Sequence, residues 1–175
     1  PIYGATERPY VESDPPHPRG VYATSKLVGE WMAAGAPRHY VLRVESLFGG
    51  VGAKSSIDAL LAGLRLGRPV RAFADRTVTP SFVDDVAEAT IALLHGTAAS
   101  GVYHCVNSGA TTWLDVAQEL ARLTGTPSTL IEPVDMAGLT LRVPRPLRAA
   151  LANDKLRAAG IVMPGWRDAL SRYLE

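Results

Sequence analysis

The sequence has a single cysteine, no excess of charge and no long apolar run, and each absence excludes a class of protein. Cys105 alone cannot form a disulfide within the chain or supply a thiolate cluster to a metal ion. Lys and Arg total 18 against 17 Asp and Glu, with no basic run, so bulk charge does not favour a nucleic-acid or membrane partner. No apolar stretch reaches the roughly 18 residues that a membrane-spanning helix needs.

Metal-binding spacings and targeting signals are also absent from the sequence. The histidines, at positions 17, 39, 95 and 104, show no His-x-x-His or Glu-x-x-His spacing, so no metal site is predicted. The first residues lack the charged segment and apolar core of a signal peptide, and we therefore expect a cytoplasmic protein. With 175 residues, 47% of them apolar, the chain suits one ordinary domain or a domain with a small second lobe.

Helical and strand-like patterns alternate along the chain. The predicted helices cover residues 22–34, 56–66, 81–95, 112–124, 153–159 and 166–174, and the predicted strands cover 39–44, 69–73, 102–106 and 129–131. Thr112 with Asp115, and Ser81 with Asp84, have the spacing of capping boxes. The helix at 81–95 is expected to bury a face made of Val83, Val86, Ala87, Thr90, Ile91 and Leu94. The alternation predicts an α/β protein.

Tyr22 and Lys26, in the sequence YATSK, stand one helical turn apart near the start of a predicted helix. Residues at this spacing lie on one face of a helix. A neighbouring ammonium group favours the phenolate form of a tyrosine, which makes the phenol a usable proton donor and acceptor. The same spacing occurs by chance in many helices, so the pair alone does not separate a catalytic role from a structural one.

A longer, ordered series of motifs contains this pair. A run of the form P-x-x-E-x-x-P-x-x-P, followed by Y-x-x-S-K-x-x-x-E, places Pro9, Glu12, Pro15, Pro18, Tyr22, Ser25, Lys26 and Glu30. The segments LRVESLFGG, DRTVTPSFVDDVAEA, GVYHCVNSGATTWLDVAQELARLTG, RPLRAALANDKLRAAG and PGWRDALSRYLE follow it in order. In this order the motifs resemble the extended short-chain dehydrogenase/reductase family, within the NAD-dependent epimerase/dehydratase superfamily. The resemblance is greatest to the dTDP-4-dehydrorhamnose reductase branch.

The resemblance implies a fold and an activity. The fold is α/β: the C-terminal part of a Rossmann-type doubly wound parallel sheet, ending near residue 49, and a mixed region over 50–175 with the last Rossmann elements and a small α/β substrate-binding lobe. The activity is NADPH- or NADH-dependent reduction of a nucleotide-linked 4-keto-6-deoxy sugar in nucleotide-sugar biosynthesis. Tyr22 would donate the proton, and Lys26 would bind the nicotinamide ribose beside it. A homodimer is expected.

Substrate contacts are carried over to Glu45, Ser46, Pro80, Ser81 and Arg145. Several motif positions depart from the branch, since Glu45 and Ser46 stand where a Ser and an aromatic residue are usual. Arg76 stands where a Gln is usual, and Ser81 where a Thr is usual. A solvated loop arginine is an equally good reading of Arg145, and the exact sugar stays open.

The same resemblance places the glycine-rich phosphate loop and a catalytic Ser or Thr before Pro1. We therefore expect the 175-residue chain alone to be inactive, and the full protein to be an enzyme. Two alternatives stay open: a sugar-nucleotide epimerase or dehydratase of the same superfamily, and a non-catalytic, truncated module that binds a sugar nucleotide.

Overall fold

The computed structural model describes residues 2–3, 6–52, 54–139 and 146–175. The helices are α1 (Val21–Ala33), α2 (Ser56–Arg65), α3 (Val83–His95), α4 (Trp113–Thr124), α5 (Asp154–Ala158) and α6 (Trp166–Leu174). The strands are β1 (Tyr40–Arg43), β2 (Leu47–Phe48), β3 (Val70–Phe73), β4 (Thr77–Val78), β5 (Ser81–Phe82), β6 (Gly101–His104), β7 (Thr111–Thr112) and β8 (Ile131–Val134). Short 3-10 turns occupy Ser128–Leu130 and Met136–Gly138.

Parallel pairing dominates the strands. Strand β1 pairs with β6, β2 with β5 and β3 with β8, all parallel, whereas β4 and β7 pair antiparallel. In the first pair, Tyr40 lies opposite Gly101 and Arg43 opposite His104. Parallel neighbours require crossover connections, which helices supply here. The predicted α/β class is therefore confirmed.

Three apolar clusters hold these elements together. The largest joins α2, α4 and α6 to the strands through buried side chains that include Phe48, Leu64, Leu120 and Leu170. A second packs the buried side of α1 and consists of Ile2, Tyr3, Tyr10, Leu27, Val106 and Leu151. A third consists of Ala89, Leu93, Tyr103, Cys105, Leu156 and Met163. Cys105 is fully buried, and burial raises the pKa of its thiol to about 11.

The ends of α4 follow the local sequence signals. The Thr112 hydroxyl accepts from the backbone N–H of Asp115, whose carboxylate accepts from the N–H of Thr112, and Gly125 ends the helix in a left-handed conformation with φ 66°. The predicted capping box is confirmed. A second box, Ser55 with Asp58, begins α2.

The predicted capping box of α3 is wrong, although the helix begins only two residues after its predicted start. The helix begins at Val83, and Ser81 belongs to β5. Its backbone N–H donates to the Ser46 carbonyl at 3.2 Å, and its hydroxyl donates to the Thr79 carbonyl at 3.0 Å. Ser81 is thus used in strand pairing and cannot cap the helix.

The predicted buried face of α3 is also wrong. The helix buries Asp85, Ala89 and Leu93, whereas Ile91 and Leu94 are 57% and 55% exposed. Asp85 is tolerated in the interior because its carboxylate accepts from the Asn107 side-chain amide at 2.6 Å and from Arg172 at 2.8 Å. These partners lie on other parts of the fold, so the apolar pattern alone selects the wrong face.

The remaining boundaries agree with the sequence analysis to within about two residues, except that the strand predicted at 129–131 lies at Ile131–Val134, after a 3-10 turn. Within the described ranges, no helix has the length and apolar character needed to cross a bilayer. The division between residues 49 and 50 stays a prediction.

Candidate active site

Helix α1 presents three polar side chains along one face. Tyr22, Lys26 and Glu30 follow one another at intervals of four, and all three line a cavity of about 440 Å³. The Lys26 Nζ lies 5.4 Å from the centroid of the Tyr22 ring, and Tyr22 is 69% exposed. The phenol and the ammonium group are therefore on the same side of the helix and open to a ligand.

The carboxyl end of β1 lines another part of the cavity. Arg43 is the last residue of the strand, and the next three residues, Val44, Glu45 and Ser46, also line the cavity. Ser46 has a φ of 47°, the only positive φ of a non-glycine residue in the described ranges. Ligands of open α/β sheets bind beyond the carboxyl ends of parallel strands, and this cavity has that position.

Glu45 is held firmly against the cavity. One carboxylate oxygen accepts from the Ser46 hydroxyl at 2.6 Å, and the other accepts from the Thr79 backbone N–H at 2.7 Å. Burial raises the pKa of Glu45, and these two hydrogen bonds offset part of that effect. A carboxyl group fixed in this way can accept a hydrogen bond from a sugar hydroxyl without first reorganising.

A charged network joins the base of α1 to the sheet. Arg43 donates to both carboxylate oxygens of Glu30, at 2.9 and 2.7 Å, and also donates to the Tyr3 hydroxyl. The Tyr3 hydroxyl is 2.6 Å from Nε2 of His104, whose Nδ1 is 2.9 Å from the Ala152 carbonyl. Burial lowers the pKa of His104, so the ring is neutral and accepts from Tyr3. The network fixes α1 relative to β1 and β6.

Residues 3–175 match the family described as "RmlD substrate binding domain". The chain belongs to this family. Among curated relatives, the chain is 31% identical over 169 residues to a probable dTDP-4,6-dihydroxy-2-methyloxan-3-one 4-ketoreductase from Streptomyces antibioticus, covering 95% of this chain and 57% of the relative. It is 32% identical over 174 residues to a dTDP-4-dehydrorhamnose reductase from Mycobacterium tuberculosis, covering 98% and 57%. The RmlD-family chain thus spans well under two thirds of the length of these relatives.

Solved structures show the same fold. A dTDP-4-dehydrorhamnose reductase from Clostridium acetobutylicum superimposes with a TM-score of 0.88 at 24% identity, covering 98% of this chain and 60% of that one. The enzyme of that name from Bacillus anthracis, solved in complex with NADP, gives a TM-score of 0.86 at 24% identity, covering 96% and 60%. The RmlD-family chain therefore has the Rossmann-like α/β fold that the resemblance implies.

The structure brings together some of the residues predicted to form the site. Glu45 and Ser46 line the same cavity as Tyr22 and Lys26. Pro80 and Ser81 are buried and are not among the residues that line it. Their contact with substrate stays a prediction.

Two further predictions concern Arg145 as a substrate contact and the metal ligands. Arg145 lies outside the described residues. In the described ranges, no group of three or more His, Cys, Asp and Glu side chains is placed to hold a metal ion.

Sequence reasoning missed several residues of this RmlD-family cavity. The missed residues that line it include Tyr3, Tyr10 and Arg43. Arg76 lines it too, and in the sequence it stands out only as a departure from a usual Gln. The spacing of four from Tyr22 through Lys26 would have placed Glu30 on the same face. Nothing local in the sequence indicates that Tyr3 reaches the end of β1.

Proposed function

We propose that the full-length protein is an NADPH- or NADH-dependent reductase of a nucleotide-linked 4-keto-6-deoxy sugar. Two curated relatives, named as a probable dTDP-4,6-dihydroxy-2-methyloxan-3-one 4-ketoreductase and a dTDP-4-dehydrorhamnose reductase, support the reductase assignment. The observation that carries this proposal is the placement of Tyr22 and Lys26 together at an open cavity. A phenol and an ammonium group at this spacing form an acid–base pair for a carbonyl that becomes an alcohol.

The residues at the cavity suit the ribose end of a nicotinamide cofactor. Lys26 is exposed and supplies an ammonium donor, which matches the hydroxyl acceptors of a ribose. We infer that Lys26 and Tyr22 hold this part of the cofactor. When bound, the nicotinamide supplies a hydride to the keto carbon.

Tyr22 acts as the general acid in this proposal. Its O–H donates the proton to the carbonyl oxygen as that oxygen becomes an alcohol, and the Lys26 charge stabilises the phenolate that results. Glu45 and Ser46 also line the cavity, and their side-chain oxygens accept hydrogen bonds from hydroxyls of the sugar. The sugar is thereby oriented with its carbonyl towards α1.

The test is the oxidation of NADPH and NADH by the full-length protein with dTDP-4-dehydrorhamnose as substrate. Tyr22→Phe removes the proton donor, and we expect kcat to fall by about 10²- to 10⁴-fold. Tyr40→Phe is the matched control, since the Tyr40 hydroxyl donates to the Ala98 carbonyl and Tyr40 does not line this cavity. Full activity in Tyr22→Phe would refute the acid role, and equal losses in both variants would point to a structural effect.

Four further expectations complete the proposal. The partner is a nucleotide sugar rather than nucleic acid or a membrane, and the protein is cytoplasmic. It assembles as a homodimer, and the first structural unit of each chain ends near residue 49. Light scattering on the purified full-length protein tests the dimer, and a monomeric mass at working concentration would contradict it.

A further inference from the structure

A second cavity, of about 340 Å³, adjoins the first. Its lining residues are Ser56, Ala59, Leu60, Val70, Arg71, Ala72, Phe73, Arg76 and Trp113. The lining is mostly apolar and includes two aromatic rings, which suits a flat ring system. Arg71 and Arg76 are the charged side chains among these lining residues, and both are positive. An anionic ligand with an apolar, planar part fits such a cavity.

Arg76 belongs to both cavities. It lines the second cavity and also the first, which contains Tyr22 and Lys26. Its side chain is largely buried, with 9% of the residue exposed, and its charge acts on Glu45 from within the first cavity. Arg76 therefore lies where the first cavity, the proposed active site, meets the second, apolar cavity.

The backbone around Arg76 is fixed on both sides. The carboxylate of Asp75 accepts from the backbone N–H groups of Met136 and Ala137, both at 2.8 Å. The N–H of Thr77 donates to the Leu147 carbonyl at 2.8 Å. A guanidinium group on so rigid a segment is preorganised, so little entropy is lost when it binds an anion.

We propose that Arg76 binds a phosphate group of the substrate at the junction of the two cavities, with the nucleoside in the second cavity and the sugar in the first. The planar fork of an arginine matches phosphate oxygens in a bidentate arrangement. Glu45 lines the first cavity and not the second, which places it beside the sugar in this arrangement. This inference rests on the proposed function and assigns to it a specificity-determining residue.

The experiment compares two probes, dTDP and thymidine, by calorimetric titration of the full-length protein. Arg76→Gln removes the charge, and we expect dTDP to bind about 10- to 100-fold more weakly, while thymidine binding changes by less than about twofold. Arg76→Lys keeps the charge and loses the fork, and we expect an intermediate loss for dTDP. Arg68→Gln, at an exposed arginine outside both cavities, is the matched control and should leave both affinities unchanged.

The outcomes separate this inference from the proposed function. If the unaltered protein binds neither probe, both the inference and the proposed function fail. If dTDP binds and Arg76→Gln leaves its affinity unchanged, or if the loss follows Arg71→Gln instead, only the inference fails. Equal losses for dTDP and thymidine would also overturn it, because they would show that Arg76 shapes the cavity without contacting phosphate. Should Arg76→Gln not fold, an unchanged dTDP affinity in Arg76→Lys overturns the inference.

Discussion

The ion pair between Glu30 and Arg43 gives the sharpest stability prediction. Its two side chains are only 12% and 10% exposed, and Arg43 donates to both oxygens of the carboxylate. Glu30→Gln removes the negative charge and leaves a guanidinium group buried beside the Tyr3 ring, 4.9 Å from its centroid. Removing one partner of a buried pair costs about 3–5 kcal/mol. Because Gln can still accept one hydrogen bond, we expect the lower end, about 3 kcal/mol.

Urea unfolding of the full-length protein, followed by circular dichroism, measures this change. A loss of about 3 kcal/mol corresponds to a fall in melting temperature of roughly 6–12 °C for a domain of this size. The matched control is Asp154→Asn, which breaks an ion pair of 2.5 Å with Arg157 whose side chains are 65% and 67% exposed. An exposed pair of this kind contributes about 0–1 kcal/mol.

A double-mutant cycle isolates the interaction energy between Glu30 and Arg43. Arg43→Met alone leaves Glu30 as an unpaired, buried carboxylate, whereas Glu30→Gln combined with Arg43→Met removes both charges. We expect the double variant to be more stable than the sum of the single losses by about 1–3 kcal/mol. The reasoning is refuted if Glu30→Gln costs less than about 1 kcal/mol in a protein that still folds, or if the two single losses add.

Two further predictions concern the loop beside the cavity and the alkaline limit of stability. In Gly49→Ala, the new Cβ would lie 2.5 Å from the Phe82 ring, on a backbone with a φ of 87°. We therefore expect the free energy of unfolding, measured in urea, to fall by roughly 2–5 kcal/mol. The control is Gly67→Ala, where φ is 63° and the Cβ meets no neighbour, and it should lower the free energy of unfolding by only about 1 kcal/mol. The pKa values of Tyr3, raised by burial, and Tyr173, raised by its hydrogen bond to Asp58, are both about 12. Since a free phenol titrates near 10, their contribution to stability is complete below about pH 10 and is lost as the pH rises towards 12. Phenolate absorbance should show both among the late-titrating groups, which also include Tyr10 and Tyr103 because burial raises their pKa values. Tyr173→Phe should flatten the alkaline slope.

Local signals predicted those parts of the fold that depend on neighbours in sequence. Thr112 and Asp115 formed the predicted capping box because both partners lie within one turn. Ser81 and Asp84 have the same spacing and failed, because the Ser81 backbone pairs with Ser46 far earlier in the chain. A local pattern is reliable only where tertiary hydrogen bonds do not compete for the same groups.

The candidate site also has one part that local sequence predicts and another that depends on tertiary contacts. Tyr22, Lys26 and Glu30 share one helix, so their common face follows from the sequence. Arg43 and Arg76 lie on other parts of the chain and line the same cavity only through the tertiary fold, which sequence spacing does not show. The buried face of α3 was mistaken for a similar reason, since the partners that allow Asp85 to be buried come from elsewhere in the fold.

The same division separates the residues of the proposed enzyme that should affect kcat from those that should affect KM. Substitutions on the α1 face change the groups that move the proton, so they should act on kcat. Glu45 and Ser46 are fixed by hydrogen bonds from the backbone N–H groups of Thr79 and Ser81. Together with Arg76, they would contact the parts of the substrate that do not react. Changes there should alter which nucleotide sugar binds, and therefore KM, with less effect on the chemical step. Three departures from the usual motif, Glu45, Ser46 and Arg76, line the cavity, whereas Tyr22 and Lys26 keep their motif positions. The geometry therefore favours an altered sugar preference on an unaltered acid–base pair.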